Sequence, residues 1–271
     1  MIRHSEYQIA IPSYKRATTL KEKTLKVLAN HNIDPKKVTI FVGNTEELKN
    51  YQTALSDSPY NNIVVGEVGM GAIRRFIQKH YAEGTPVMNF DDDLSEVLTK
   101  ESDKKMIPVH NLEQDVILRG FHACSENKAN LFGVYAAANA MFMKHRIAVG
   151  LYYCIGSCWG MFNRHDEDLR VTLDDKEDFL RSLQHYVKDG VVVRLDDITV
   201  KSKYYTEDGG MQVTRTNERI LESAEILAKR YPMLCTMYIR ETTGHAELRL
   251  RDKSNGRYDK VAPTLESFFQ D

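Results

Sequence analysis

The sequence of 271 residues predicts an α/β protein, with a Rossmann-type, mostly parallel sheet flanked by helices and a smaller mixed β region in the second half. Two observations lead to this fold class. In the first half, short apolar runs alternate with stretches in which apolar residues recur every three or four positions, the order of repeated β-α units. Charged or glycine-rich segments also follow several apolar runs directly, as they do at the ligand-binding carboxyl edge of a parallel sheet.

Four strands and three helices alternate in the first half. Apolar runs bounded by proline, glycine or charge predict strands at residues 7–11, 38–42, 63–65 and 87–90. Helical spacing of apolar residues predicts the intervening helices at about 20–28, 48–55 and 73–81. Because helical connections join parallel strands, the carboxyl ends of these strands should meet at one edge of the sheet.

The second half is less regular. Periodicity predicts helices at about 112–125, 174–187 and 217–229, and apolar runs predict strands at 131–135, 151–155, 159–162 and 191–193. A polar loop is predicted at 199–213, and further extended segments at 233–239 and 248–250. No repeat, low-complexity segment or linker interrupts the chain, so we expect a single domain covering residues 1–271.

Composition excludes several classes of protein. Hydrophobic residues make up 42% of the chain, as in globular proteins, and no apolar stretch reaches the ~20 residues of a membrane helix. The four cysteines lack the paired C-x-x-C spacing of a zinc site and predict reduced thiols in a cytoplasmic protein. A net charge of −1 argues against a broad nucleic-acid-binding surface but allows a local basic patch.

Three adjacent carboxylates, Asp91, Asp92 and Asp93, follow the predicted strand at 87–90. Like charges this close disfavour one another's ionised form, and a divalent cation relieves the repulsion. Hard cations such as Mg²⁺ prefer oxygen ligands and commonly share them with substrate phosphates. The triplet therefore predicts a metal and phosphate site at the end of a strand, although an acidic run taken alone is more often a solvated loop.

Two further segments at the same predicted edge suit a phosphate ligand. Residues 11–16, with the sequence IPSYKR, offer a turn, an aromatic ring and two cations after the first strand. Residues 66–75 place three glycines before a helix with two arginines in its first turns. The alternative for each is a structural turn with solvated charges, and the glycines do not form a dinucleotide-binding fingerprint.

Three segments of the second half are also candidates. The acidic run 174–178 begins a helix; it complements the helix dipole and also offers a carboxylate as a general base. Residues 201–211 combine lysines, adjacent tyrosines and a Gly-Gly pair, which is typical either of a loop that closes over a ligand or of a plain surface loop. His245 is a candidate metal ligand, with a structural histidine as the alternative.

Taken together, these motifs resemble those of the GT-A-fold nucleotide-sugar glycosyltransferases. The resemblance covers about residues 7–195 and rests on the IPSYKR turn, the glycines before Arg74, the D-x-D pattern of Asp91 and Asp93, and the later acidic pair Glu177-Asp178. More narrowly, the chain looks like the phage glycosyltransferases associated with TET-like thymine/5-methylcytosine dioxygenases, on the Lys-Glu-Asp segment and the Tyr-Tyr…Gly-Gly loop.

This resemblance implies a GT-A-like sheet and a metal-dependent transfer of a sugar from a UDP-sugar to an acceptor hydroxyl. Residues 1–95 would form the nucleotide-binding half and 96–271 the acceptor-binding half. The donor-binding residues that it implies are Pro12, Ser13, Tyr14, Arg16, Gly71, Arg74, Asp91, Asp92 and Lys201. Mn²⁺ or Mg²⁺ would be held by Asp93 and Asp91 with His245 as a further ligand, and Asp178 or Glu177 would be the base of an inverting reaction.

The resemblance leaves several acceptors open. A 5-hydroxymethylpyrimidine in phage DNA would place the enzyme in the host cytoplasm and predicts a basic rim beside the acidic site. The residues expected in that rim are Lys144, His145, Arg146, Arg164, Lys201 and Lys203. A glycan or protein acceptor is the alternative within the same class, and a nucleotidyltransferase or a non-catalytic binding module is the alternative outside it.

Overall fold

The computed structural model describes residues 6–202, 210 and 215–253. Four parallel strands form the first half of its sheet in the order β3-β2-β1-β4. They are β1 (Gln8–Pro12), β2 (Val38–Val42), β3 (Ile63–Val65) and β4 (Pro86–Phe90). The helices between them are α1 (Ala17–Glu22), α2 (Thr24–Asn30), α3 (Thr45–Ala54) and α4 (Met70–His80).

Local sequence explains where these elements begin and end. The strands β1, β2 and β4 are apolar along almost their whole length because helices cover both faces of a parallel sheet. Helix α3 is capped by Asn44, the residue before it, whose side chain accepts a hydrogen bond from the Glu47 N–H. Helix α4 begins after Gly69, which has a φ of 105°, a conformation that only glycine adopts without strain.

The sheet continues into the second half through an antiparallel strand. In the described part of the chain it has ten strands, and β4 pairs with β9, which leads on through β7, β10, β5 and β6, while β8 pairs with β10. These strands are β5 (Glu96–Ser102), β6 (Lys105–Pro108), β7 (Leu131–Tyr135), β8 (Ile147–Gly150), β9 (Cys158–Phe162) and β10 (Val192–Lys201). Since β9 is antiparallel to both β4 and β7, the carboxyl ends of β4, β7 and β10 face the same edge.

A smaller layer lies beyond the main sheet. A π-helical turn (Glu113–Leu118) leads into α5 (Arg119–Asn127), and α6 (Glu177–Asp189) and α7 (Asn217–Arg230) come later in the chain. The strands β11 (Cys235–Ile239) and β12 (Ala246–Leu250) form a separate antiparallel hairpin. A second hydrophobic core, including Leu183, Leu227 and Tyr231, holds α6, α7 and this hairpin together.

The predicted α/β fold class is confirmed, and four element predictions need correction. The helix expected at 20–28 divides at Lys23, which lets the Thr24 hydroxyl donate to the Asp91 carbonyl oxygen and accept from the Leu94 N–H. The strand expected at 151–155 lies earlier, in β8, and ends at Gly150 with a φ of 139°.

The other two corrections concern strands whose charged residues interrupt the apolar pattern by which strands are predicted. The hairpin of β5 and β6 was missed because charged side chains crowd its turn. Strand β10 runs on to Lys201, so residues 199–201 are not loop; its polar Asp196 and Asp197 are ion-paired to Arg146 and Arg119. The remainder of the predicted loop, at 203–209 and 211–213, lies outside the described residues.

Stability should depend on pH through His185, which lies on α6 with only 3% of its surface exposed. Burial lowers the pKa of His185 from 6.5 to about 4, and the nearby Arg164 guanidinium acts in the same direction. Between pH 6.5 and 4, His185 is protonated in the unfolded chain but neutral in the folded chain. The stability that is present above pH 6.5 is therefore lost as the pH falls towards 4. We expect this residue to remove about 1–3 kcal/mol of the free energy of unfolding over that range.

Urea unfolding at several pH values measures this effect. The His185→Gln variant should show a flatter dependence between pH 6.5 and 4 than the unmodified protein. The matched control is His122→Gln, at a half-exposed side chain on α5, which should keep the original slope. Identical slopes for His185→Gln and the unmodified protein would contradict the assignment.

Candidate active site

A cavity of about 730 Å³ opens at the carboxyl edge of the sheet. This volume lies in the range of small-molecule binding sites. Its walls come from the turn after β1, the triplet after β4, the start of α4, the segment 153–157, the start of α6, and parts of α7 and of the β11–β12 hairpin. The predicted site residues among its lining are Pro12, Ser13, Tyr14, Arg16, Asp91, Asp92, Asp93, Glu177 and Asp178.

Asp92 holds the turn after β1. The Ser13 hydroxyl donates to Asp92 Oδ2 at 2.6 Å, and Arg16 Nη1 donates to Asp92 Oδ1 at 3.3 Å. The Tyr51 hydroxyl also bonds to Ser13 Oγ at 2.6 Å and accepts from the Arg16 N–H at 3.0 Å. Burial raises the pKa of Asp92 to about 6, against the effect of the Ser13 hydrogen bond. Asp92 therefore fixes the turn that presents Arg16 to the cavity.

Asp91 forms an ion pair with a buried arginine. Arg74 on α4 has a side chain only 3% exposed, and its Nη2 donates to Asp91 Oδ1 at 3.1 Å. Burial raises the pKa of Asp91 to about 7; Arg74 opposes this shift, and the neighbouring Asp93 adds to it. Arg74 thus stabilises the charged form of a carboxylate that its surroundings disfavour.

Asp93 turns its carboxylate into the same cavity. Its Oδ2 lies 3.8 Å from Arg16 Nη1, and its side chain is 11% exposed. Asp93 and Asp91 both line the cavity. Their carboxylate oxygens are the kind of ligand that Mg²⁺ or Mn²⁺ prefers. Within residues 6–202, 210 and 215–253 no group of three or more His, Cys, Asp or Glu side chains is arranged to hold a metal. The pair fits a metal that takes further ligands from a bound phosphate.

Glu177 is enclosed by two arginines. Arg74 Nε lies 3.5 Å from Glu177 Oε1, and Arg181 Nη1 donates to Glu177 Oε2 at 2.5 Å. The Arg181 guanidinium also lies 3.6 Å from the centre of the Trp159 ring. Because a guanidinium faces each of its oxygens and the residue is 6% exposed, Glu177 is poorly placed to accept a proton from a substrate.

Asp178, the next residue of α6, has neutral partners instead. Its Oδ2 accepts from the Tyr153 hydroxyl and, at 3.4 Å, from the Gly156 N–H, while its Oδ1 accepts from the Phe179 N–H at 3.0 Å. Asp178 is half-buried and lines the cavity. A carboxylate of this kind is suited to general-base chemistry.

The rest of the acidic run anchors α7 and the glycine-rich segment. Asp175 accepts from Arg215 Nε at 2.7 Å, and Asp174 accepts from Arg219 Nη2 at 3.2 Å. Asp174 also accepts from the Gly71 N–H at 2.8 Å. A Cβ at position 71 would lie 3.0 Å from the Leu173 carbonyl oxygen, so the glycine permits α4 to approach this loop and lies behind the cavity wall.

Four predicted ligand residues lie outside the cavity lining: Gly71 and Arg74, which lie behind it, and Lys201 and His245. Lys201, at the end of β10, is exposed and donates to Glu96 Oε2 at 2.6 Å. His245 lies in the β11–β12 turn, where its carbonyl oxygen accepts from the Arg240 N–H; neighbouring Arg240 and Glu247 line the cavity and His245 does not.

The expected basic rim is only partly assembled. The exposed residues 144–146 lie beside Asp196, near the carboxyl end of β7 and at the same edge as the site. Arg164 follows β9, which runs antiparallel to β4, so it lies at the opposite edge and forms a bidentate ion pair with Asp189 at 2.8 Å. The expectation that Arg164 borders the acidic site is therefore wrong. Lys203 lies outside the described residues.

Sequence reasoning missed several residues that build the site. Tyr153 falls in a segment expected to be a strand and Gly156 directly follows that segment. Arg215 precedes α7 and Arg219 lies in its first turn, and neither belongs to a motif. The one relevant pattern in the sequence was the density of acidic residues at 174–178, because so many carboxylates need cationic partners from elsewhere in the chain.

Comparison with solved structures identifies the fold as GT-A-like, as the motifs led us to expect. No protein-family model and no curated protein matches the sequence. The crystal structure of residues 1–349 of S. aureus TarS is similar, with 18% identity over 83% of this chain and 64% of that one, and a TM-score of 0.50.

A second similar structure is the mannosyltransferase PcManGT from Pyrobaculum calidifontis, solved in complex with GDP-Man and Mn²⁺. It is 12% identical over 83% of this chain and 63% of that one, with a TM-score of 0.51. The present chain thus spans less than two-thirds of the length of both structures. No helix in the described ranges is long and apolar enough to cross a bilayer.

Replacing Arg74 with methionine should destabilise the protein strongly, because Asp91 and Glu177 would each lose a buried cationic partner. We expect the free energy of unfolding to fall by about 3–5 kcal/mol at pH 8, measured by urea denaturation. Lys79→Met, at an exposed position of the same helix, should change it by less than about 0.5 kcal/mol. Equal effects of the two substitutions would show that the buried bridge contributes little to stability.

Proposed function

We propose that this protein is a metal-dependent glycosyltransferase that moves a sugar from a UDP-sugar to an acceptor hydroxyl. One observation carries the proposal: the carboxylates of Asp91 and Asp93 from one half of the chain and Asp178 from the other line a single cavity with Arg16. The similarity to a mannosyltransferase solved with GDP-Man and Mn²⁺ supports a nucleoside diphosphate sugar as the donor.

In this proposal residues 1–95 bind the donor. Pro12, Ser13 and Tyr14 line the nucleotide site together with Arg16, whose charge would balance that of the diphosphate. Arg74 lies behind this lining and balances the charge of Asp91. Asp93 and Asp91 would hold Mn²⁺ or Mg²⁺, and when bound the metal neutralises the diphosphate leaving group. His245 would join the ligand set only with a rearrangement of the β11–β12 turn.

Residues 96–271 supply the acceptor half and the base. Asp178 removes the proton of the acceptor hydroxyl while the acceptor oxygen bonds to the anomeric carbon. The bond from that carbon to the diphosphate oxygen breaks at the same time, and its electron pair leaves with the nucleoside diphosphate. Because the base and the diphosphate lie on opposite sides of the sugar in such a displacement, the reaction inverts the anomeric centre.

A 5-hydroxymethylpyrimidine in phage DNA is the acceptor that we propose to test first. The exposed cations Lys144 and Arg146 lie in the same loop as Phe142, whose surface is 60% exposed. Cations beside an exposed aromatic ring suit nucleic acid. A glycan or protein hydroxyl is the alternative. The four buried cysteines are free thiols, which agrees with a role in the cytoplasm.

Calorimetry with UDP, GDP and CDP, each with and without Mn²⁺, tests the donor site. We expect micromolar binding of UDP with Mn²⁺ and at least tenfold weaker binding without it, because Asp91 and Asp93 would hold the metal and its charge would offset that of the diphosphate. Asp93→Asn should abolish the metal dependence. Asp57→Asn, at an exposed carboxylate paired only with the surface residue Lys21 in the described contacts, is the matched control and should bind normally.

Product analysis then separates the classes of enzyme. A glycosyltransferase releases nucleoside diphosphate, whereas a nucleotidyltransferase releases pyrophosphate. Metal-independent binding, or binding of none of the three nucleotides, would contradict the proposal. Metal-dependent binding without turnover of any sugar donor would favour a binding module.

A further inference from the structure

We infer that Tyr153 is a positioning residue for the reaction, because it fixes the carboxylate of Asp178 for proton transfer. This inference rests on the proposed function and deepens it, since it assigns a task to a residue that carries no sequence motif. The supporting observations are the packing of the Tyr153 ring, the destination of its hydroxyl group and the contrast between Asp178 and its neighbour Glu177.

The Tyr153 ring is held against the helix that carries the base. Strand β8 ends at Gly150, and the chain then passes along the start of α6. The ring of Tyr153 stacks on the ring of Phe179, with centroids 4.1 Å apart and planes inclined by 19°. Phe179 directly follows Asp178. The ring and the hydroxyl group of Tyr153 therefore both contact the first turn of α6.

The donors around Asp178 set the direction of its free lone pair. Among the described residues, the Tyr153 hydroxyl and the Gly156 N–H reach Oδ2, and the Phe179 N–H reaches Oδ1. An ionised carboxylate has about four acceptor positions, so three donors leave one for a substrate hydroxyl. Tyr153 and Asp178 both line the cavity, so the carboxylate borders the space that a ligand would occupy.

The same turn of α6 shows why the partner is a phenol and not a cation. Glu177 faces Arg74 and Arg181, and guanidinium groups both orient a carboxylate and neutralise its charge. A neutral hydroxyl orients Asp178 and leaves its negative charge available to a proton. Glu177, with two cationic partners, thus has a structural role, whereas Asp178, with neutral partners, has the reactive one.

Loss of the Tyr153 hydroxyl should therefore slow turnover without weakening donor binding. The carboxylate of Asp178 would retain two backbone donors but would sample other rotations, and misorientation of a base costs rate at the chemical step. Tyr153→Phe keeps the ring that stacks on Phe179, so the fold should be preserved. We expect kcat to fall about 10- to 100-fold with KM for the donor within twofold and Tm unchanged.

The experiment measures release of nucleoside diphosphate from UDP-glucose, UDP-N-acetylglucosamine and GDP-mannose, with water as the acceptor. Four variants are compared with the unmodified protein: Tyr153→Phe, Asp178→Asn, the double variant, and Tyr186→Phe. Tyr186 donates its hydroxyl to Asp252 at 2.7 Å from the same helix, outside the cavity lining, so Tyr186→Phe is the matched control. It should keep full activity.

The expected pattern is a selective loss of kcat in Tyr153→Phe and no further loss when it is added to Asp178→Asn, because the tyrosine acts only through the aspartate. Full activity of Tyr153→Phe beside an inactive Asp178→Asn would overturn this inference and leave the proposed function standing. A parallel fall in Tm and donor affinity would also overturn it, in favour of a structural role. No release from any of the three donors by the unmodified protein would overturn both.

Discussion

The site depends on one buried interaction, the contact of the Arg74 guanidinium with Asp91 on one side and Glu177 on the other. Asp91 follows a strand of the first half, whereas Glu177 begins a helix of the second half. A single cation between them allows two acidic segments to approach without unbalanced repulsion. Arg181 and Trp159 extend this bridge, so the start of α6, and with it Asp178, is fixed relative to the triplet.

The acidic triplet has a different role at each of its three positions. Asp92 is enclosed by the turn after β1, Asp91 faces Arg74, and Asp93 turns towards the cavity beside Arg16. The burial that raises the pKa of Asp91 and Asp92 destabilises their charged forms in the free protein. In the proposed mechanism a bound cation would relieve this cost, and that relief would contribute to the affinity for the ligand.

Local sequence patterns predicted the first half of the fold well because each of its elements is specified by residues adjacent in the chain. The apolar runs at β2 and β3, for instance, begin and end where the structure places them. The edge at which the triplet lies also followed from the order of strands and helices. The placement of Arg164 failed because it depends on the direction of β9, and strand direction is set by long-range pairing. The hydroxyl of Tyr153 was missed for the same reason, since its partner Asp178 is 25 residues away.

We propose above all that Asp91 and Asp93 would hold a metal beside a nucleoside diphosphate, in the cavity that Asp178 also lines. The most direct test is a crystal structure of the protein grown with UDP and MnCl₂, with anomalous diffraction measured at the manganese edge. The account predicts an anomalous peak within about 2.5 Å of oxygens of Asp91 or Asp93 and of the diphosphate. A manganese peak bound elsewhere, or UDP seated away from the triplet, would contradict it.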